Sequence, residues 1–147
     1  RSGVMHDRTV VVVESGNGPF GQFITAGSHV FGADEPAEMG GLNTGPDPYE
    51  LLLSGLGACT AMTIRMYADH KKIQLDRVEV RLRHVQRASA ASGTSDRFER
   101  IITLTGALTQ ADRQKLLEIA GKCPVSQTLQ RSSVVASEIA SPLAASS

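Results

Sequence analysis

A stretch of about 25 residues that opens at Asp47 and runs to about Lys72 constrains the fold more than any other part of this chain. Asp47 stands as a helix N-cap, Pro48 at the first helical position and Glu50 three residues after the cap, the signature of a deliberate helix start. From Leu51 to Met62 the residues are apolar or small on every side, as in a helix surrounded by protein. Gly55 and Gly57 inside this run each cost about 1 kcal/mol relative to alanine. Such a cost is tolerated where another backbone must come very close. Two neighbours fit: a sheet of the same chain, or a helix crossing at a dimer interface.

The flanking sequence supplies the sheets. Thr9 to Glu14 is continuous and β-branched, predicting a strand buried on both faces. The turn Ser15-Gly16-Asn17-Gly18-Pro19 follows, then strands over Phe20 to Thr25 and His29 to Ala33, an antiparallel meander. Glu35 to Asp47 is a Gly- and Pro-rich loop. Beyond the long helix, Leu75 to Gln86 alternates, with Val78, Val80 and Leu82 inward and Glu79, Arg81 and Arg83 outward. Ala88 to Asp96 is a small-residue hairpin loop, and Phe98 to Gly106 the returning strand. Thr109 to Asp112 caps a helix that Gly121 and Pro124 break. A short helix over Pro124 to Gln130 and a last strand over Val134 to Ile139 complete an α+β domain.

At 147 residues the chain has the size of one domain, assigned to residues 5–140. Arg1 to Val4, ahead of Met5, read as an expression scar, and residues 141–147 as a flexible tail. The balance of 15 basic and 15 acidic side chains leaves no electrostatic footprint for nucleic acid or an anionic membrane. No continuous apolar run reaches the roughly 18–20 residues of a membrane span, and no signal-peptide pattern is visible. Two cysteines do not make a disulfide framework, so the cytoplasm is the expected compartment.

Those two cysteines are the chemically informative residues. Cys59 lies about three turns into the long helix among Leu52, Gly55, Leu56, Met62, Thr63 and Met66, surroundings that raise a thiol's pKa. Cys123 precedes a proline, which makes it an N-cap candidate whose sulfur meets the free N–H groups of the next helix, with Lys122 beside it. One reading is a nucleophile and its partner; the other is two buried fillers. Metal binding is disfavoured: the cysteines are 64 residues apart, and His6, His29, His70 and His84 show no ligand spacing. Gly40 to Gly45 follows no strand as a phosphate loop would, and Ser126 has no positioned base that spacing reveals. No cofactor is expected.

The Gly-rich loop into Pro48, the Leu51-Leu52-Leu53 run ending in Gly57-Ala58-Cys59-Thr60, and the late Cys123-Pro124-Val125 together resemble the OsmC/Ohr superfamily, the osmotically inducible and organic hydroperoxide resistance proteins. The order of elements agrees along nearly the whole chain, and Thr63 to Ala68 resembles a less characterised branch. The resemblance implies antiparallel sheets around a long central helix, in an intertwined homodimer with two interfacial sites. It also implies reduction of apolar organic or lipid hydroperoxides, with Cys59 as the peroxidatic nucleophile, Cys123 as the resolving thiol and an external thiol or dithiol as reductant. In the better known branches an arginine from the first sheet and a glutamate after the helix-opening proline activate the nucleophile. Here Tyr49 follows Pro48, the acid is Glu50, and the second strand offers Gln22. Arg65, about 240° around the helix from Cys59, and Arg8 are the candidate substitutes, and Ser126 stands where relatives often carry histidine. The alternative function is a non-catalytic or weakly catalytic dimer that binds a small apolar ligand or senses redox state.

Overall fold

The computed structural model describes residues 8–141. The chain forms two antiparallel sheets and a long helix. The first sheet is a meander of β1 (Val10–Glu14), β2 (Gln22–Ala26) and β3 (His29–Ala33) in the order β1-β2-β3. The second pairs β4 (Leu75–Gln86) with β5 (Arg97–Gly106). In sequence α1 (Pro48–His70) links the two sheets, and it packs against β4, while α2 (Gln110–Ala120) and α3 (Pro124–Gln130) follow β5.

The helix starts are those the sequence encodes. Asp47 Oδ1 accepts from the Glu50 N–H at 2.8 Å, and Glu50 Oε1 accepts from the Asp47 N–H at 2.9 Å, a complete capping box. Thr109 and Asp112 repeat the device at α2. α1 ends two residues before Lys72, which takes a left-handed conformation at φ 56° while the Ile73 N–H closes back on the Ala68 carbonyl at 2.8 Å.

One stripe of α1 forms the core. Ile64 and Ala68 pack with Leu75, Leu116 and Ala120, and Val78, Ile102 and Leu104 of the second sheet close around them. Burial of side chains such as Ile64 and Leu116 contributes about 1.5–3 kcal/mol each. Gly57 faces β4, where a Cβ would stand 2.6 Å from Leu82 Cδ1. α1 is also long and apolar enough on average to cross a membrane; it packs against β4, α2 and α3 along one face.

Three sequence expectations are corrected. β1 is not buried on both faces: all five residues are exposed, because the first sheet makes no substantial packing contact with α1, β4 or β5. The first half of α1 is not enclosed on every side. Leu52, Gly55, Met62 and Met66 form an open stripe opposite the core. Val134 to Ile139 is not a strand; Val134 is 94% and Ile139 97% exposed, and the segment pairs with neither sheet. The scar assigned to residues 1–4 and nearly all of the tail assigned to 141–147 lie outside the described residues.

Candidate functional site

Three short-range choices of sequence bring the cysteines together. α1 presents Cys59 at the boundary between its open stripe and the side covered by α3. The Gly121 break turns the chain after α2, and the Cys123 N–H binds the Ala120 carbonyl at 3.2 Å. Pro124 then opens α3 directly after Cys123, so the sulfur sits at that helix's N-terminus. Across 64 residues of sequence, the two thiols come close enough for each to perturb the other's ionisation, and neither is in a disulfide. Cys123 is fully buried, whereas Cys59 is half-buried.

Their electrostatics differ. Burial pushes the Cys59 thiol up, as does its hydrogen bond to Cys123, against weaker help from the Val125 N–H and the Thr63 hydroxyl. Burial alone would raise Cys123 as well. The hydrogen bond from Cys59, the N–H groups of Ser126 and Val125 and the Thr60 hydroxyl outweigh it and hold Cys123 below an ordinary thiol. These N–H groups stabilise charge on the sulfur without forming a formal side-chain cap.

The supporting residues named from sequence lie elsewhere. Glu50 is held in the α1 capping box. Arg65 clamps α1 to the start of β4, donating to the Leu75 carbonyl at 2.7 Å and the Asp76 carbonyl at 3.1 Å, with Asp69 at 3.5 Å. Arg8 is exposed ahead of β1, and Gln22 Nε2 donates to the Phe20 carbonyl at 3.2 Å. Tyr49 stacks on His84 at 4.8 Å between centroids, and His84 stacks in turn on Phe98 at 4.6 Å. His84 Nε2 meets Asp96 Oδ1 at 2.9 Å, a hydrogen bond that holds the Asp96 carboxyl below its usual range. Ser126 is buried and bonded to Gln130 Nε2 at 2.9 Å. Among the described residues, no three His, Cys, Asp or Glu side chains gather at metal-binding distance.

Sequence reasoning missed Arg100. Its Nη1 donates to Thr60 Oγ1 at 3.0 Å and to the Ala120 carbonyl at 3.1 Å, touching the neighbours of both cysteines. The signal was present in the alternation of β5: Phe98, Ile102 and Leu104 point inward, and Arg100 shares their phase. A cavity of about 710 Å³ opens beside it, lined by Leu56, Arg97, Phe98, Arg100, Ser126 and Gln130 among others. Leu56 lies about one helical turn before Cys59, and Ser126 about one turn after Cys123.

A family model for OsmC-like protein matches residues 41–138. No curated protein matches the sequence. Three solved structures share the fold. A candidate osmotic-stress-induced and detoxification response protein from Psychrobacter arcticus has TM-score 0.70 and 18% identity, with 87% of this chain and 92% of that chain covered. An OsmC-like protein from Mycoplasma pneumoniae gives 0.69 and 20%, covering 87% and 89%. An organic hydroperoxide resistance protein OsmC from Legionella pneumophila, described as a predicted redox protein, gives 0.67 and 22%, covering 86% and 91%. At such identities the likeness is one of fold.

Proposed function

Since this chain belongs to the OsmC-like protein family, we propose that it is a thiol-dependent peroxidase that reduces organic hydroperoxides through Cys59 and Cys123. The observation that carries the reading is the pairing of these two thiols, one half-buried and one fully buried, at the N-terminus of α3. Cys59 is the nucleophile because a bulky peroxide cannot reach a sulfur with no exposed surface. One proton first leaves the pair to solvent from Cys123, and passage of the Cys59 proton to the resulting Cys123 thiolate then leaves the attacking thiolate on Cys59. It attacks one peroxide oxygen, the O–O bond breaks and the alkoxide leaves as an alcohol after taking up a proton, leaving a sulfenic acid on Cys59. Cys123 then attacks that sulfur, a disulfide forms and water departs. An external dithiol returns two electrons and two protons by exchange.

The working unit in this proposal is a homodimer. Gly55 has nothing within 4 Å of a Cβ position, so the chain itself gives no packing reason for that glycine. It lies on the open stripe with Leu52, Met62 and Met66, beside Cys59. A second copy laid on the stripe would make Cys59's surroundings apolar, which suits a greasy hydroperoxide.

The test is turnover of cumene hydroperoxide with a dithiol, comparing the parent protein with Cys59→Ser and Cys123→Ser. Turnover that vanishes in Cys59→Ser supports the reading; equal turnover in both proteins overturns it. The commitment of Glu50 to its cap and of Arg65 to β4 favours a second reading, a redox-sensing or apolar-ligand module. That module would bind its ligand equally well as Cys59→Ser.

A further inference from the structure

Among the described residues, Arg100 is a half-buried cation without an anion. None of the ion pairs among the described residues includes it, and its neighbour Glu99 is engaged by Arg97 at 3.0 Å. Its recorded hydrogen bonds go to neutral oxygens, Thr60 Oγ1 and the Ala120 carbonyl. A charge removed from water needs a counter-charge or a full set of hydrogen bonds. Both of these contacts lead to Cys123. The Ala120 carbonyl also accepts from the Cys123 N–H at 3.2 Å, and Thr60 Oγ1 lies 3.8 Å from Cys123 Sγ.

Thr60 has no exposed surface and a single hydroxyl proton. With a lone pair occupied by Arg100, that proton can go to the Leu56 carbonyl at 2.7 Å or to the Cys123 sulfur. A neutral thiol leaves it with the carbonyl, the better acceptor. A negative sulfur draws it across, and the guanidinium polarises the hydroxyl in the same direction.

We propose that Arg100 is a positioning residue for the cysteine pair: through the Thr60 hydroxyl and the Ala120 carbonyl it fixes Cys123 and supplies the counter-charge for a negative sulfur there. The charged or titratable groups around Cys123 are Cys59 from α1 and Arg100 from β5, with the exposed Lys122 adjacent in sequence. When Cys123 ionises its proton leaves to solvent, and the Thr60 hydroxyl turns from Leu56 to the sulfur. The proposal rests on Cys59 and Cys123 being the reactive pair.

The experiment is titration of thiolate absorbance near 240 nm against pH, on the full chain, for the parent, Arg100→Met, Arg100→Lys, Thr60→Val and Thr60→Ser. Arg100→Met and Thr60→Val are each expected to raise the first midpoint by about one unit, roughly tenfold less thiolate below it. The double variant should add little to either. Thr60→Ser, which keeps the hydroxyl, and Arg100→Lys, which keeps the charge, should stay nearer the parent. A folded Arg100→Met that titrates like the parent overturns the proposal. Should Arg100→Met not fold, an unmoved Thr60→Val does the same. Peroxide turnover is read separately: shifted titrations without turnover in the parent would sink the peroxidase reading and leave Arg100's role standing.

Discussion

Leu82 Cδ1 of β4 lies 2.6 Å from where a Cβ on Gly57 would stand. The missing Cβ lets α1 approach β4 closely at this point. Gly57→Ala should therefore cost about 1–3 kcal/mol, towards the lower end because the obstacle is the tip of a flexible side chain. A urea-unfolding midpoint checks it. Gly55→Ala is the informative contrast. It meets nothing within its own chain, so it should gain up to about 1 kcal/mol of helix propensity as a monomer. If a second copy packs on the open stripe, the same change weakens the dimer, which sedimentation would reveal.

The sequence made much of this legible. Asp47, Pro48 and Glu50 announce the start of α1 by local hydrogen bonding, and such signals survive any tertiary context. Cys123 before Pro124 likewise marks the head of α3. Residues whose meaning depends on a neighbour were harder to read. Val10 to Val13 look like a core strand because β-branched runs usually find cover, yet this chain supplies none. Val134 to Ile139 has strand composition without a strand beside it. Arg100 hid in plain alternation, since an inward arginine means little until Thr60 and Ala120 are seen to meet it.

The C-terminal arm carries its own test. Val134, Val135 and Ile139 are 94%, 89% and 97% exposed, surface available for burial if the proposed homodimer forms. Replacing all three with serine should leave the folding of the α1 core intact and shift the population toward monomer. Light scattering after size exclusion measures the change.

Asp34 organises the loop that delivers α1. Its carboxylate accepts from the Thr44 hydroxyl at 2.7 Å and from the N–H groups of Glu35, Leu42 and Thr44. The Thr44 hydroxyl is the main cause of a carboxyl held below its ordinary value of 3.8. A depressed acid stabilises the fold fully above its unfolded value, and that contribution is lost as pH falls through the folded one. Thr44→Val raises the folded value. Acid unfolding, followed by circular dichroism, should then begin at a higher pH than in the parent.

The two thiols should also report on each other. Cys59 donates to Cys123 and helps hold it below an ordinary thiol, so Cys59→Ala should raise the Cys123 titration midpoint. Cys123 in turn pushes Cys59 up, so Cys123→Ala should lower the Cys59 midpoint. Thiolate absorbance near 240 nm against pH, on each single-cysteine protein, gives both directions.

Intact mass and free-thiol count of the reduced protein, before and after one equivalent of cumene hydroperoxide, test the central claim most directly. Rapid loss of both thiols with a mass drop of about 2 Da, one intramolecular disulfide between Cys59 and Cys123, is the expected result. Two thiols still free after prolonged exposure would contradict it.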